Sequence, residues 1–316
     1  MNDYKNDLKE RRIGVLAGGY SSEREISLKS GKAIFDALTA SGLNAKFVDV
    51  AGPSLEGMED IDVAFIALHG RFGEDGTLQQ MLQEKGMPYT GSGPEASRAA
   101  LDKITAKKLF ENCGLKIAEH IVVKKSSPLG NIPCPCVVKP RYEGSSVGLS
   151  VVKDPIFLRK AVDEASAYDE DIMIERFIPG RELTVGVIED RALPVVEIVA
   201  AGGVYDFAAK YRAGDTKYIV PADLPERTYK AVQEAGLKAH RALGCEGYSR
   251  VDVRLGDDGR PYVLEVNTIP GMTERSLLPM AARSAGMDFT ALCLLIVRIA
   301  LKRENSSGVT PNGRVA

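Results

Sequence analysis

The sequence predicts a mixed α/β and α+β chain that begins with a doubly wound parallel sheet. Two observations lead to this. In the first third, short apolar runs alternate with segments of helical periodicity. In the remainder, several strand-like segments follow one another across glycine-rich turns.

The first apolar run, Ile13-Gly14-Val15-Leu16-Ala17, ends in Gly18-Gly19. Ser22-Glu23-Arg24-Glu25 matches a capping box, and helical spacing continues through Ile26, Ala33, Ile34, Ala37 and Leu38. Ala45 to Val50 supplies a second strand. Val63 to Leu68 is a third, apolar throughout as a strand covered on both faces is. It ends at His69-Gly70 before a loop containing Gly73 and Gly76. A helix and the segment Met87 to Gly91 complete the unit. Ligands of such sheets bind beyond the carboxyl ends of the strands, where Gly18-Gly19 and His69-Gly70 fall. The glycines do not fit G-x-G-x-x-G and there is no Walker lysine motif, which disfavours hydride transfer.

From Pro94 one helix is expected through Lys103, Lys107 and Lys108 to Cys113, with Gly114 stopping it. Pro135 to Pro140 then forms a strand containing Lys139, and Arg141 to Gly148 is a small-residue loop before Leu149 to Val152 resumes strand character. Such a hairpin can fold over phosphates, or it can be a solvent-exposed turn. Asp171 to Ile178 is a strand carrying Glu175, broken by Pro179-Gly180, after which Arg181 to Ile188 starts anew. A boundary belongs there. A loop from Asp206 to Tyr218 contains Lys210-Tyr211, and a helix follows around Thr228 to Leu243.

Near the end, Arg250-Val251-Asp252-Val253-Arg254-Leu255 and Tyr262 to Asn267 read as an antiparallel hairpin across the Asp258-Gly259 turn. Arg250, Asp252 and Arg254 share one face. Glu265 and Asn267 share one face of the second strand, with Leu264 and Val266 on the other. Pairing would gather oxygens of Asp252, Glu265 and Asn267, a set suited to a hard divalent cation completed by substrate phosphates. A solvent-facing polar sheet surface alternates in the same way.

The 316 residues allow two or three domains, and 44% hydrophobic content suffices for packed cores. A net charge of −2 without a long basic run indicates neither nucleic acid nor an anionic membrane as partner. Five scattered cysteines without CxxC pairs argue against zinc or a disulfide framework and for a reducing cytoplasm. The charged N-terminus is no signal peptide. Phe289 to Leu301 reads as a buried helix, and the segment from Glu304 onward as a disordered tail. There is no apparent internal repeat.

In order along the chain, GGYSSEREISLKSG (18–31), ALHGRFGEDGTLQ (67–79), PYTGSG (88–93), VVKPRYEGSSVG (137–148), AAKY (208–211), GYSRVDV (247–253) and EVNTIPGMTERSLLP (265–279) resemble the ATP-grasp superfamily, and within it the D-alanine–D-alanine ligases. The match runs from about Ile13 to Leu301; each motif is weak alone and the ordered set is specific. The resemblance implies an ATP-grasp architecture: the N-terminal α/β domain (about 1–98), a central lid (about 99–180) and a C-terminal metal-bearing domain (about 181–316), with ATP between the last two. It implies ligation of two D-alanine molecules through an acyl phosphate, for peptidoglycan precursors.

The family's residues carry over as follows. Lys103 and Lys139 contact phosphates, Lys210 faces the γ-phosphate, and Glu175 and Glu182 serve the adenine side and ribose. Phe177 and Ile178 line the adenine pocket. Asp252, Glu265 and Asn267 hold two magnesium ions (manganese being possible), and Arg250 with the Gly271 N–H stabilises the oxyanion. Glu23, Ser145 and Tyr211 form a hydrogen-bonded group, with Glu23 on the ammonium of the first D-alanine. His69 orients that substrate, and Ser276 receives the carboxylate of the second. A homodimer is the family expectation.

Singly, these residues allow other roles: Glu23 as helix cap, Lys103 on a solvated face, His69 structural, Ser145 a turn former, Tyr211 a packed edge aromatic. Ile269 and Arg275 depart from a common serine and histidine beside the second-substrate region, while Tyr211 favours an amide over a D-alanyl-D-lactate product. Another ATP-grasp carboxylate–amine ligase, or a non-catalytic nucleotide-binding protein, are the competing readings.

Overall fold

The computed structural model describes residues 8–200 and 216–307, backbone only for the last four. The expected loop positions Lys210 and Tyr211, and the tail beyond Ser307, lie outside these residues. Glu304 to Ser307 continue a helix rather than begin a tail.

The first unit is a parallel three-stranded sheet in the order β2 (Asn44–Val50), β1 (Arg12–Gly18), β3 (Val63–Ile66). A parallel bridge from Ala64 to Tyr89 adds the expected fourth segment. Both faces are sealed. Helix Arg24–Ala40 and the C-terminal helix Phe289–Ser307 cover one face, meeting Ile13, Val15 and Phe65 through Ile34, Leu38, Leu292 and Ile296. On the other, Leu16, Ala64 and Ile66 pack against Leu78 and Leu82 of helix Thr77–Glu84. The apolar C-terminal segment is thus buried against the sheet where the chain began. Among the described residues no single helix is long and apolar enough to cross a membrane.

The central sheet is antiparallel, in the order β4 (His120–Val123), β7 (Ile172–Arg176), β5 (Cys136–Pro140), β6 (Ser150–Val152). Its own small core joins Val138, Val152, Ile172 and Ile174 to Leu158 and Val162 of helix Leu158–Ala165.

At Pro179-Gly180 the chain passes to the third sheet, where β8 (Gly180–Ile188) begins. That sheet runs β11 (Lys217–Ile219), β10 (Val196–Val199), β8, β12 (Tyr248–Gly256), β13 (Pro261–Asn267), with β9 (Arg191–Ala192) on β8. Gly180 has φ 132°, and a Cβ there would lie 2.0 Å from the Leu255 carbonyl oxygen, so the junction requires glycine. Helix Glu226–Ala242 crosses the sheet closely because Gly236 meets Val185 without a side chain.

Two expected local structures differ. The Pro94–Cys113 helix is two helices, Pro94–Leu101 and Lys103–Asn112. Asp102 separates them in extended conformation and caps the second, accepting hydrogen bonds from the N–H groups of Ile104 and Thr105. The carboxylate also receives both arms of Arg141, at 2.7 and 2.6 Å, tying the helix start to the end of β5. Nor does the capping box close: the first helix begins at Arg24, and its N-cap Glu23 makes no side-chain cap bond.

Candidate active site

The terminal hairpin forms as expected, Asp252 opposite Glu265 and Arg250 opposite Asn267. The register then slips by one residue, because Leu264 is the extra residue of a β-bulge between the partners of Asp252 and Val253. This corrects the simple alternation. Val263 and Val266 enter the core, whereas Leu264 joins Glu265 on the cavity wall.

Two adjoining cavities open over this hairpin. The larger, about 420 Å³, lies between the loops of the first sheet and the ends of β12 and β13. Glu23, His69, Lys103, Ser145, Arg250, Glu265, Asn267, Gly271 and Ser276 line it. The smaller, about 110 Å³, lies between the central and third sheets. Its walls include Lys103, Lys139, Glu175, Phe177, Ile178, Glu182, Asp252 and Glu265. Lys103, Glu143 and Glu265 border both. Every expected site residue within the described chain therefore lies on one of the two walls.

In the larger cavity the glycine loop reaches the first sheet. Ser145 Oγ donates to Glu23 Oε1, so the Glu23 carboxylate faces across the cavity instead of capping its helix. Ser145 and Ser146 have φ of 47° and 60°, a left-handed pair that is costly for non-glycine residues and is held here by the loop's contacts. His69 is buried, with Nε2 3.3 Å from Ser30 Oγ and Nδ1 4.0 Å from Glu74 Oε1. Burial lowers the imidazole pKa below its ordinary 6.5, favouring the neutral ring. Burial, reinforced by the charge of Glu23, raises Glu74 well above the ordinary carboxylate value, while its Oε2 accepts from the Gly70 N–H at 2.9 Å. Ser276 stands at the N-terminus of helix Leu277–Ser284, its Oγ 2.9 Å from Thr273 Oγ1. A Cβ on Gly271 would come within 3.1 Å of that hydroxyl oxygen.

Arg250 grips Asp252 with two hydrogen bonds, Nε to Oδ1 at 2.9 Å and Nη2 to Oδ2 at 2.7 Å. Thr184 Oγ1 donates to Oδ1 as well, at 2.8 Å. Asn267 Oδ1 accepts from the Ile269 N–H. Among the described residues no three His, Cys, Asp or Glu converge on a ready-made metal cage. The oxygens of Asp252, Glu265 and Asn267 nevertheless fit magnesium, which commonly takes one or two carboxylates and draws other ligands from phosphates and water.

The smaller cavity keeps its charges by pairing them. Glu175 Oε1 lies 2.8 Å from Lys139 Nζ and 3.2 Å from Lys107 Nζ. Charge attraction contributes more to the cluster than hydrogen bonding does. Burial alone would raise the Glu175 pKa; Lys139 and Lys107 overcome it and hold it at about 2. The Glu175 carboxylate is thus a counter-ion for Lys139 at the cavity wall. Lys103 is buried, not solvated, and its ammonium donates to the backbone carbonyls of Glu143 and Arg141. Burial, with Lys139 nearby, lowers its pKa to about 8 despite Glu265.

Lys107, Glu74, Glu143 and Arg254 were not singled out as site residues by sequence reasoning. Lys107 had a legible signal: it follows Lys103 by one helical turn and shares its face. The others become partners only through long-range packing.

The family model for the D-ala D-ala ligase C-terminus matches residues 109–298, more than half of the chain, and that for the N-terminus matches 45–92. The chain belongs to the D-alanine–D-alanine ligase family. Among its family relatives, the D-alanine–D-alanine ligase of Citrifermentans bemidjiense is 49% identical over 297 residues, covering 93% of this chain and 97% of that protein. The Geobacter sulfurreducens ligase is also 49% identical, over 91% and 93% of the two chains. Among solved family structures, the Bacillus anthracis ligase complexed with ATP has a TM-score of 0.83 at 33% identity, covering 94% of this chain and 100% of that one.

Proposed function

We propose that this protein joins two D-alanine molecules into D-alanyl-D-alanine at the expense of ATP. The observation that carries the reading is the meeting of the two cavities at Lys103 and Glu265. A phosphoryl group leaving the smaller cavity enters the larger at that point.

ATP occupies the space between the central and third sheets. Phe177, Ile178 and Leu264 flank the base, Glu182 takes the ribose, and Lys139 and Lys103 meet the phosphates. The base and ribose take this smaller space, about 110 Å³, and the phosphates extend toward the larger cavity that adjoins it. Asp252, Glu265 and Asn267 would hold magnesium, which supplies charge neutralisation to the transferring phosphoryl group.

In the larger cavity Glu23 anchors the ammonium of the first D-alanine and His69 orients the substrate. Its carboxylate attacks the γ-phosphorus, giving an acyl phosphate and ADP; a carboxylate otherwise lacks electrophilic character. The amine of the second D-alanine, whose carboxylate is received by Ser276, then attacks the acyl carbon and phosphate departs. Arg250 and the Gly271 N–H donate to the developing oxyanion. Closure of the Ser145 loop onto Glu23 excludes water from the acyl phosphate. The units at about 1–98, 99–180 and 181–316 supply, respectively, the first-substrate wall, the lid and the metal-bearing floor. Five unpaired cysteines suit the cytoplasm. A homodimer is part of the proposal, and sedimentation of a stable monomer at working concentration would remove it.

The decisive assay measures phosphate release from magnesium-ATP with D-alanine, with L-alanine, or with D-alanine plus D-lactate, and identifies products by mass. One D-alanyl-D-alanine per phosphate supports the ligase. Faster consumption of D-lactate than of D-alanine as second substrate would reject the amide product, and turnover only with another amino acid would move the substrate assignment.

A further inference from the structure

Arg254 is the charged residue of the β12 polar face that the proposed chemistry leaves without a task. It is only 7% exposed, and it sits directly opposite Glu182 on neighbouring antiparallel strands. Its guanidinium makes a distinct contact at each nitrogen. Nη1 donates to Glu182 Oε2 at 2.9 Å, Nε to the Ile178 carbonyl at 3.2 Å, and Nη2 to the Gly180 carbonyl at 3.2 Å. The guanidinium carbon also stands 5.2 Å from the Phe177 ring centroid.

These partners form one end of the smaller cavity: Phe177 and Ile178 from the connector, and Glu182 from β8. A glutamate side chain has three rotatable bonds, and anchoring one carboxylate oxygen removes most of that freedom before a ligand arrives. Bonds to the Ile178 and Gly180 carbonyls fix the same guanidinium relative to the connector. A lysine, with one compact ammonium, cannot hold all three acceptors in this planar arrangement.

We propose that Arg254 is the positioning residue for nucleotide recognition: it presets Glu182 for the ribose hydroxyls and holds the base-side connector in register with it. This rests on the ATP reading of the smaller cavity. The consequence is selectivity for the sugar of the nucleotide, exercised by a residue that need not touch the sugar.

The test is steady-state kinetics with magnesium-ATP, 2′-deoxyATP and 3′-deoxyATP at saturating D-alanine, for wild type, Arg254→Met, Arg254→Lys, Glu182→Gln and the Arg254→Met/Glu182→Gln double variant. Arg254→Met is expected to raise KM for ATP on the order of tenfold, with a much smaller change in kcat. The analogue that wild type disfavours most should lose much less, so the preference for ATP narrows. The double variant should be little worse than Glu182→Gln alone, because both remove one interaction. An equal rise in KM for all three nucleotides, or additive effects in the double variant, would overturn the proposal and leave Arg254 a packing residue. Should Arg254→Met fail to fold, Arg254→Lys decides: unchanged sugar preference rejects the proposal, and a narrowed preference supports it. Lys139→Ala separates the two levels. An unchanged KM for ATP in that variant rejects the nucleotide cavity itself, whereas a raised KM with intact sugar preference in the Arg254 variants rejects only the role of Arg254.

Discussion

The two cavities treat buried charge in opposite ways. Around His69 and Glu74, burial shifts both groups toward their neutral forms. Around Glu175, burial is outweighed by two ammonium groups, and the carboxylate remains ionised with a pKa of about 2. A titratable side chain taken out of water either discharges or finds a partner. The proposed phosphate end requires fixed positive charge, so there pairing prevails. The proposed amino-acid end can hold neutral hydrogen-bonding groups beside a single ionic anchor.

The same substitution made in both places tests this contrast. Glu175→Gln leaves Lys107 and Lys139 buried without their counter-ion, and the expected loss of stability is about 3–5 kcal/mol by denaturant unfolding. Glu74→Gln copies the neutral form toward which burial shifts this acid and keeps an acceptor for the Gly70 N–H, so its cost is expected to stay within about 1 kcal/mol. Equal costs would dissolve the distinction. The pH dependence has a definite sign: because the folded Glu175 pKa is depressed, its stabilisation is present above the ordinary value of 4.5 and is lost as pH falls toward about 2. The Gln variant should lose that part of the acid transition.

Arg250→Ala acts on the wall of the larger cavity, removing both the proposed oxyanion donor and the two-pronged grip on Asp252, whose own side chain borders the smaller one. Turnover should fall on the order of a hundredfold, about 2.7 kcal/mol, in a protein that still unfolds cooperatively. Normal kcat in a folded variant would reject the role.

Lys103 offers a smaller effect that sharpens the comparison, being a buried cation that, among the described residues, donates to backbone carbonyls instead of pairing closely with a carboxylate. Its pKa of about 8 in the free protein implies that kcat/KM for ATP falls as pH rises through that value, by about tenfold per unit beyond it. Lys103→Arg should move this limb to higher pH. An identical profile in the variant would assign the limb to another group.

How much of this was legible in the sequence varied with the range of the interactions. The apolar run Val63 to Leu68 announced a strand sealed on both faces, and Asp258-Gly259 announced the hairpin that sets Asp252 opposite Glu265. Both follow from local periodicity and turn chemistry. Glu23 was legible as a residue but misleading as a cap, because the bond it makes comes from Ser145, distant in sequence. The split at Asp102 had a local signal, an aspartate able to cap Ile104 and Thr105, but the helical periodicity of residues 94–113 ran through it; Arg141 secures the carboxylate from the end of β5.

The sequence by itself therefore determined the element types, the family motifs and the identity of the chemical groups on each strand face. Tertiary structure alone decided that Leu264 bulges to the cavity, that Lys107 lies beneath Glu175, and that Arg254 grips Glu182. Side-chain periodicity is a property of neighbouring residues. Register slips, buried ion pairs and the protonation of His69 and Glu74 depend instead on which distant segments exclude water around them, which is fixed only when the sheets pack together.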